Sequence, residues 1–229
     1  MKPYANILKF LREMHITRDD LISGRVKSVY EKIIFSKNKV HGSFPKWSRL
    51  HSIVLPNYLK TFNYKASVDI LPCKTKFVEF ALDTDSRCNY CRLYPDTVPH
   101  IFCNCSVLVP IWNILDQILK SMNFTFCFTE SRKWGKYDLK SSQIKKDEEV
   151  LVIYLNTIVN YKIWKFSMKI QYEGFIFTPK KFFNSLVKTI EGRKLMELSD
   201  RMKRCQKIPE IDRLSIAVKN AYATVVGIT

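Results

Sequence analysis

The chain has 229 residues, 46% hydrophobic and 13% aromatic, which is ample for a packed core and excludes a disordered polyelectrolyte. Lys and Arg number 38 against 21 Asp and Glu, a formal charge of +17, and that balance favours a polyanionic partner such as nucleic acid through counterion release. The excess is distributed. Residues 1 to 50 carry 11 basic and 4 acidic side chains, and residues 131 to 181 carry 11 and 5, as suits a long binding track better than one basic tail. The most hydrophobic stretch, Val150 to Trp164, is interrupted by Asn156, Asn160 and Lys162 and falls short of the roughly 20 apolar residues that span a bilayer. No membrane segment is expected.

Six glycines, few alternating runs and several amphipathic series predict a mostly α protein. Pro3 precedes an apolar series at Ile7, Leu8, Phe10 and Leu11, and Asp19 and Asp20 precede a second at Leu21, Ile22, Val26, Val29, Tyr30, Ile33 and Ile34; both have helix-start signals. His41 to Pro45, with Gly42 and Ser43, marks a hinge, so residues 1–45 form a basic helical arm. A helix is predicted from Pro56 through Leu59, Phe62, Tyr64 and Val68, stopped by Leu71-Pro72, and a short one over Lys74 to Leu82. Leu108, Ile111, Trp112, Leu115, Ile118 and Leu119 have helical spacing. Asn123 to Phe128 alternates aromatic residues, as in a short strand or a buried loop. Ser141 to Glu149 is polar and expected at the surface. It leads into a long helix over 147–172, with acidic residues in its first turn where the dipole favours them and Gly174 at its end. Thr178-Pro179 opens a further helix that could reach Arg204, and Pro209 another toward Val218. The organisation expected is therefore an arm over 1–45, a central domain over 46–130 and a basic helical region over 131–229.

The seven cysteines, 73, 88, 91, 103, 105, 127 and 205, are odd in number and clustered, and Met1-Lys2-Pro3-Tyr4 has no secretory character. A disulfide framework is not expected; metal ligation in a reducing, intracellular compartment is, whether nuclear or cytoplasmic. Cys88, Cys91, His100 and Cys105 form C-x2-C-x8-H-x4-C. Three thiolates and an imidazole make a closed tetrahedral shell, the donor set of a structural zinc ion with no open position for substrate. Cys103 offers a competing last ligand. The other cysteines lack partners at ligand spacing and suit small buried hydrophobes. His15, His41 and His51 are isolated, and Trp47, Trp112 and Trp164 sit on apolar faces as core anchors.

Cys88-Asn-Tyr-Cys91, His100-Ile-Phe-Cys-Asn-Cys105 and Trp112 resemble the zinc-binding domain downstream of the reverse transcriptase in non-LTR (LINE-type) retrotransposons. Trp47, Leu55-Pro56, Phe62, Tyr64 and Leu71-Pro72 fall where that family has a tryptophan, a Leu-Pro, an aromatic helix and a second Leu-Pro. Ile163-Trp164-Lys165 resembles a later Ile-Trp-Lys, without the Arg-Asn that usually follows. The resemblance covers about residues 46 to 165. It implies an accessory, non-catalytic region that engages template RNA or target DNA beside a reverse transcriptase, and its spacing favours Cys105 over Cys103. No Tyr- or Phe-x-Asp-Asp polymerase signature is present. Pro95-Asp96 lies inside the metal loop and reads as a turn rather than part of an endonuclease centre. A complete product, an exapted host protein and the end of a longer polyprotein are all compatible with the sequence.

Candidate nucleic-acid contacts are Arg87, Tyr90, Arg92 and Tyr94 between the ligands, where exposed aromatics beside cations can stack on unpaired bases. Lys133, Lys136, Lys140, Lys145 and Lys146 follow in the polar stretch. The competing expectation is a zinc-stabilised platform whose Phe- and Ile-rich helices from Pro179 onward bind a partner protein.

Overall fold

A computed structural model describes residues 55–67, 70–79, 85–133, 144–145, 148–198, 208 and 210–227. The chain divides between Pro45 and Lys46, and every described residue lies C-terminal to that point. The two helices expected before residue 35, the hinge at 41–45, Trp47 and Cys205 lie outside the described residues.

The described part is helical, as expected. Its elements are α1 (Asn57–Ser67), α2 (Lys74–Glu79), α3 (Val109–Ser121), α4 (Phe128–Lys133), α5 (Glu149–Glu173), α6 (Pro179–Leu198) and α7 (Ile211–Val226). Among the described residues the one extended pairing is an isolated antiparallel bridge between Arg87 and Pro95. A single apolar core runs from Leu55 to Val218.

Helix α5 is the axis of this core. Every residue from Leu151 to Asn160 is buried, so this part of the helix is enclosed on all sides and lacks the polar face of a surface helix. Its two asparagines are therefore interior groups that need partners. Arg132 supplies them: it is buried, stacks 4.2 Å from the centre of the Trp112 ring and donates to Asn156 Oδ1 and, at 3.2 Å, to Asn160 Oδ1. The helix ends at Gly174, whose φ of 62° is the left-handed conformation that glycine adopts without a Cβ penalty.

Several boundaries differ from the sequence expectation. Cys105 does not begin α3 directly, because a 3-10 turn over Ser106–Leu108 intervenes. The aromatic run resolves into a loop over 124–127 and the start of α4 at Phe128. Asp116 of α3 accepts hydrogen bonds from the backbone N–H groups of Phe128 and Thr129, a helix cap supplied from another element that local sequence could not announce. Within 141–149, Ile144 and Glu148 are buried; Glu148 accepts from the Thr125 N–H at 3.0 Å. Helix α6 is described as far as Leu198, the residues from there to Arg204 lying outside the described ones, and α7 runs eight residues past Val218.

The Trp164 indole N–H donates to the Pro72 carbonyl at 2.8 Å, and its ring lies 5.9 Å from Phe62 and 6.0 Å from Tyr161. One side chain thus ties the Leu71-Pro72 corner and α1 to α5. Trp164→Phe should keep the packing and lose the hydrogen bond, lowering unfolding free energy by about 1–3 kcal/mol, while Trp164→Ala should cost about 3–5 kcal/mol. Chemical denaturation at constant zinc concentration measures both.

Candidate metal centre

The loop from Asp85 to Cys105 is folded by its backbone before any side chain is considered. The Cys88 N–H donates to the Tyr94 carbonyl at 2.7 Å, and the Arg92 N–H to the Cys88 carbonyl at 3.0 Å, closing a turn over 89–94. Arg92 takes φ 58°, a left-handed conformation that costs a non-glycine residue about 1–2 kcal/mol and turns the chain back after Cys91. The Tyr90 N–H points at the Cys88 sulfur at 3.4 Å.

The second pair of donors is set by a π-helical turn over His100–Asn104. Its i to i+5 hydrogen bond joins the Cys105 N–H to the His100 carbonyl at 2.9 Å, so the four-residue gap between them is one wide turn and brings both residues to the same side. Cys103, part of a turn earlier, meets the Arg132 guanidinium instead, while burial pushes its thiol up. Ile101 and Phe102 point into the core.

The donor atoms of Cys88, Cys91, His100 and Cys105 all lie within 4.8 Å of one another. Cys88 and Cys105 sulfurs are 3.9 Å apart, and the Cys91 sulfur is 3.4 Å from His100 Nε2. A zinc tetrahedron with Zn–S of about 2.3 Å and Zn–N of about 2.0–2.1 Å has S···S edges of about 3.8 Å and S···N edges of about 3.6 Å. The two spacings match those edges. All four cysteines of the loop are free thiols.

Residues 25–112 match the family of zinc-binding in reverse transcriptase. The matched residues include part of the stretch before residue 46 and end at Trp112, short of Ile163-Trp164-Lys165. No curated protein and no solved structure matched the chain. The donor set and the family match together give the chain a site for one zinc ion.

The Cys88 and Cys105 sulfurs lie within hydrogen-bond reach of each other. That contact, then burial, pushes the Cys88 thiol far up, and the same contact lowers Cys105. Burial lowers His100, keeping its imidazole neutral and its lone pair available.

The loop is buttressed by acids. Asp96 is fully buried, accepting from the Lys74 N–H at 2.9 Å, and its own N–H donates to Ser86 at 2.7 Å; burial raises its carboxyl. Pro95 is bridged to Arg87, the Thr97 N–H donates to the Pro95 carbonyl at 3.0 Å in a tight turn around Asp96, and the Asp96 carboxylate also caps α2 from a distance. Asp85 takes hydrogen bonds from Arg87 and Lys74 that hold its carboxyl well below the usual range. Its oxygens lie 3.0 Å from Arg87, 3.3 Å from Lys74 and 3.9 Å from Arg92.

The candidate contacts part company here. Arg87, Arg92 and Tyr94 are exposed at the loop rim, with the Tyr94 ring 5.6 Å from that of His100. Tyr90 turns inward: its hydroxyl donates to the Ile163 carbonyl, its ring meets Phe177 edge-on at 4.9 Å, and burial drives its hydroxyl pKa well up. Lys145 is exposed; Lys136, Lys140, Lys146 and the Lys133 side chain lie outside the described residues. Asn89, which sequence left unmarked, is buried and donates to the carbonyl and hydroxyl of Ser167 at 3.1 and 3.0 Å. Nothing local signals that role, since its partner is 78 residues away.

Cys88→Ser, Cys91→Ser and Cys105→Ser should each lose bound zinc, whereas Cys103→Ser should keep one equivalent, as read by metal analysis of purified protein. Zinc binds thiolates and releases the thiol protons of its ligands, so affinity should rise with pH. Competition with a chromophoric chelator between about pH 6 and pH 8 tests the sign.

Proposed function

We propose that Cys88, Cys91, His100 and Cys105 hold one structural zinc ion and that the loop they order binds RNA or unpaired DNA without catalysing a reaction. In this reading the chain serves a reverse transcriptase of the retroelement type as an accessory module. The observation that carries it is the rim of the zinc loop, where the exposed Arg87 and Arg92 share the single carboxylate of Asp85, which the buried Lys74 also holds from behind, beside the exposed ring of Tyr94. The two arginines against one carboxylate leave the exposed rim a net charge of +1, so an approaching phosphate meets an excess of donors. Tyr94 offers a face on which an unpaired base can stack.

The partner-protein reading has weaker footing. Of the Phe- and Ile-rich helices from Pro179 onward that it invokes, Phe182, Phe183, Leu186 and Ile190 are fully buried in the chain's own core, and Leu195, Met196 and Ile216 are exposed. The distributed positive charge of the sequence and the family match over residues 25–112 both favour a polyanion. No helix among the described residues is long and apolar enough to cross a membrane.

Binding should be strongly salt-dependent. If about three phosphates of a single strand are neutralised, affinity should fall about tenfold for a threefold rise in salt. Arg87→Ala combined with Arg92→Ala should make the slope of log K against log salt shallower by about 1.4. Fluorescence anisotropy with labelled RNA and DNA strands longer than about 16 nucleotides measures it. Salt-independent binding, or none at low salt, overturns the proposal.

A further inference from the structure

Beyond Trp112, where the family match ends, the corner between α5 and α6 presents a second aromatic and cationic surface. Tyr172, in the last turn of α5, is 65% exposed, more than any other aromatic side chain among the described residues. Its ring rests edge-on against Phe77 of α2, 6.3 Å away, which fixes its position while leaving the ring largely in water. Lys165, Lys169 and Tyr172 follow one another at i, i+4 and i+7, so they share a face of the helix, and all three are exposed. Past the glycine cap, Ile176 is 73% exposed. Phe175 beneath it has Lys181 Nζ at 4.4 Å and Lys169 Nζ at 5.8 Å from its ring centre. From Tyr161 to Lys181 the sequence holds five lysines and a single acid, Glu173.

That combination narrows the partner. Lys162 turns in to donate to the Ser185 hydroxyl at 2.8 Å, which leaves four exposed lysines to one exposed acid; an apolar patch flanked by acids and bases in equal number would suit a protein surface, whereas this excess favours a polyanion. Among polyanions, a base-paired duplex presents phosphates and groove edges and keeps its base faces stacked, so an exposed aromatic face has nothing to take hold of. A single strand offers both chemistries at once: bases to stack on the ring and phosphates for lysines about 6 Å apart along the helix axis. The corner is also fastened to the zinc loop, through Asn89 on Ser167 and Tyr90 on Phe177.

We infer that Tyr172, flanked by Lys165 and Lys169, is a stacking platform for single-stranded nucleic acid, separate from the rim of the zinc loop. The inference rests on the nucleic-acid reading above and adds a site that the family match does not reach.

Full-length, zinc-loaded protein is titrated with oligouridine RNA, oligothymidine DNA and a blunt DNA duplex, with anisotropy as readout. Tyr172→Ala should weaken single-strand binding about tenfold, leave the salt slope unchanged because no charge is removed, and leave duplex binding unchanged. Tyr172→Phe should restore wild-type affinity. Lys165→Ala with Lys169→Ala should make the salt slope shallower by about 1.4. Unchanged zinc content and helicity in Tyr172→Ala certify that the fold is intact. The RNA and DNA arms tell which strand is preferred, and tighter binding of either supports the platform. Wild-type affinity in Tyr172→Ala, alongside weakened Arg87→Ala/Arg92→Ala, overturns the platform and leaves the zinc-loop reading standing. The reverse pattern supports the platform and removes the loop rim. Polyglutamate competing as well as oligouridine, or an intact protein that binds neither single strand at low salt, overturns the platform as well.

Discussion

Three sulfurs and an imidazole nitrogen held within 4.8 Å of one another impose a demand that the rest of the loop serves. The buried Cys88 and Cys105 sulfurs stand 3.9 Å apart, a spacing that a divalent cation between them suits. The backbone prepares the demand before the ion answers it. A left-handed Arg92 closes the first turn, and a π-helical turn aligns His100 with Cys105. Zinc binding and folding of such a loop are one equilibrium, since few apolar residues of the turn itself could hold it closed.

What the loop lacks in core it takes from α5. Asn89 and Tyr90, the two residues between the first pair of thiols, are hydrogen-bonded to Ser167 and Ile163, and Trp164 anchors the Leu71-Pro72 corner. The family match ends at Trp112, yet the groups that seat the zinc loop come from fifty residues further on. Ile163-Trp164-Lys165 therefore has a physical role: its backbone and indole hold two separate parts of the zinc-binding segment against one buried helix. Ligand loops of this size depend on neighbouring helices for burial, and here the dependence is made through named hydrogen bonds.

Charge is sorted in the same structure. Arg132 is drawn inside, stacked on Trp112 and donating to the side-chain oxygens of Asn156 and Asn160; its loss would leave buried asparagine oxygens without that donor. Arg87 and Arg92 remain at the rim, sharing Asp85, and Lys165 and Lys169 line the exposed end of α5. A basic composition thus becomes a structural cation in the core and two separate cationic surfaces outside it.

The sequence by itself determined the helical class, the four metal donors, the long central helix and its stop at Gly174, because periodicity, ligand spacing and glycine's freedom at positive φ are local properties. It also supplied the preference for Cys105, although the reason, a π turn that turns Cys103 toward Arg132, is not written in any propensity. Only the tertiary structure decided that Tyr90 faces inward, that Asp96 caps α2, that Glu148 and Asn89 are buried, and that the apolar stripe of α6 is spent on the core. Each of these depends on a partner distant in the chain: 73 residues for Tyr90, 22 for Asp96 and 78 for Asn89. A side chain's fate between solvent and interior is fixed by what packs against it, and over such separations that neighbour exists only once the chain has folded.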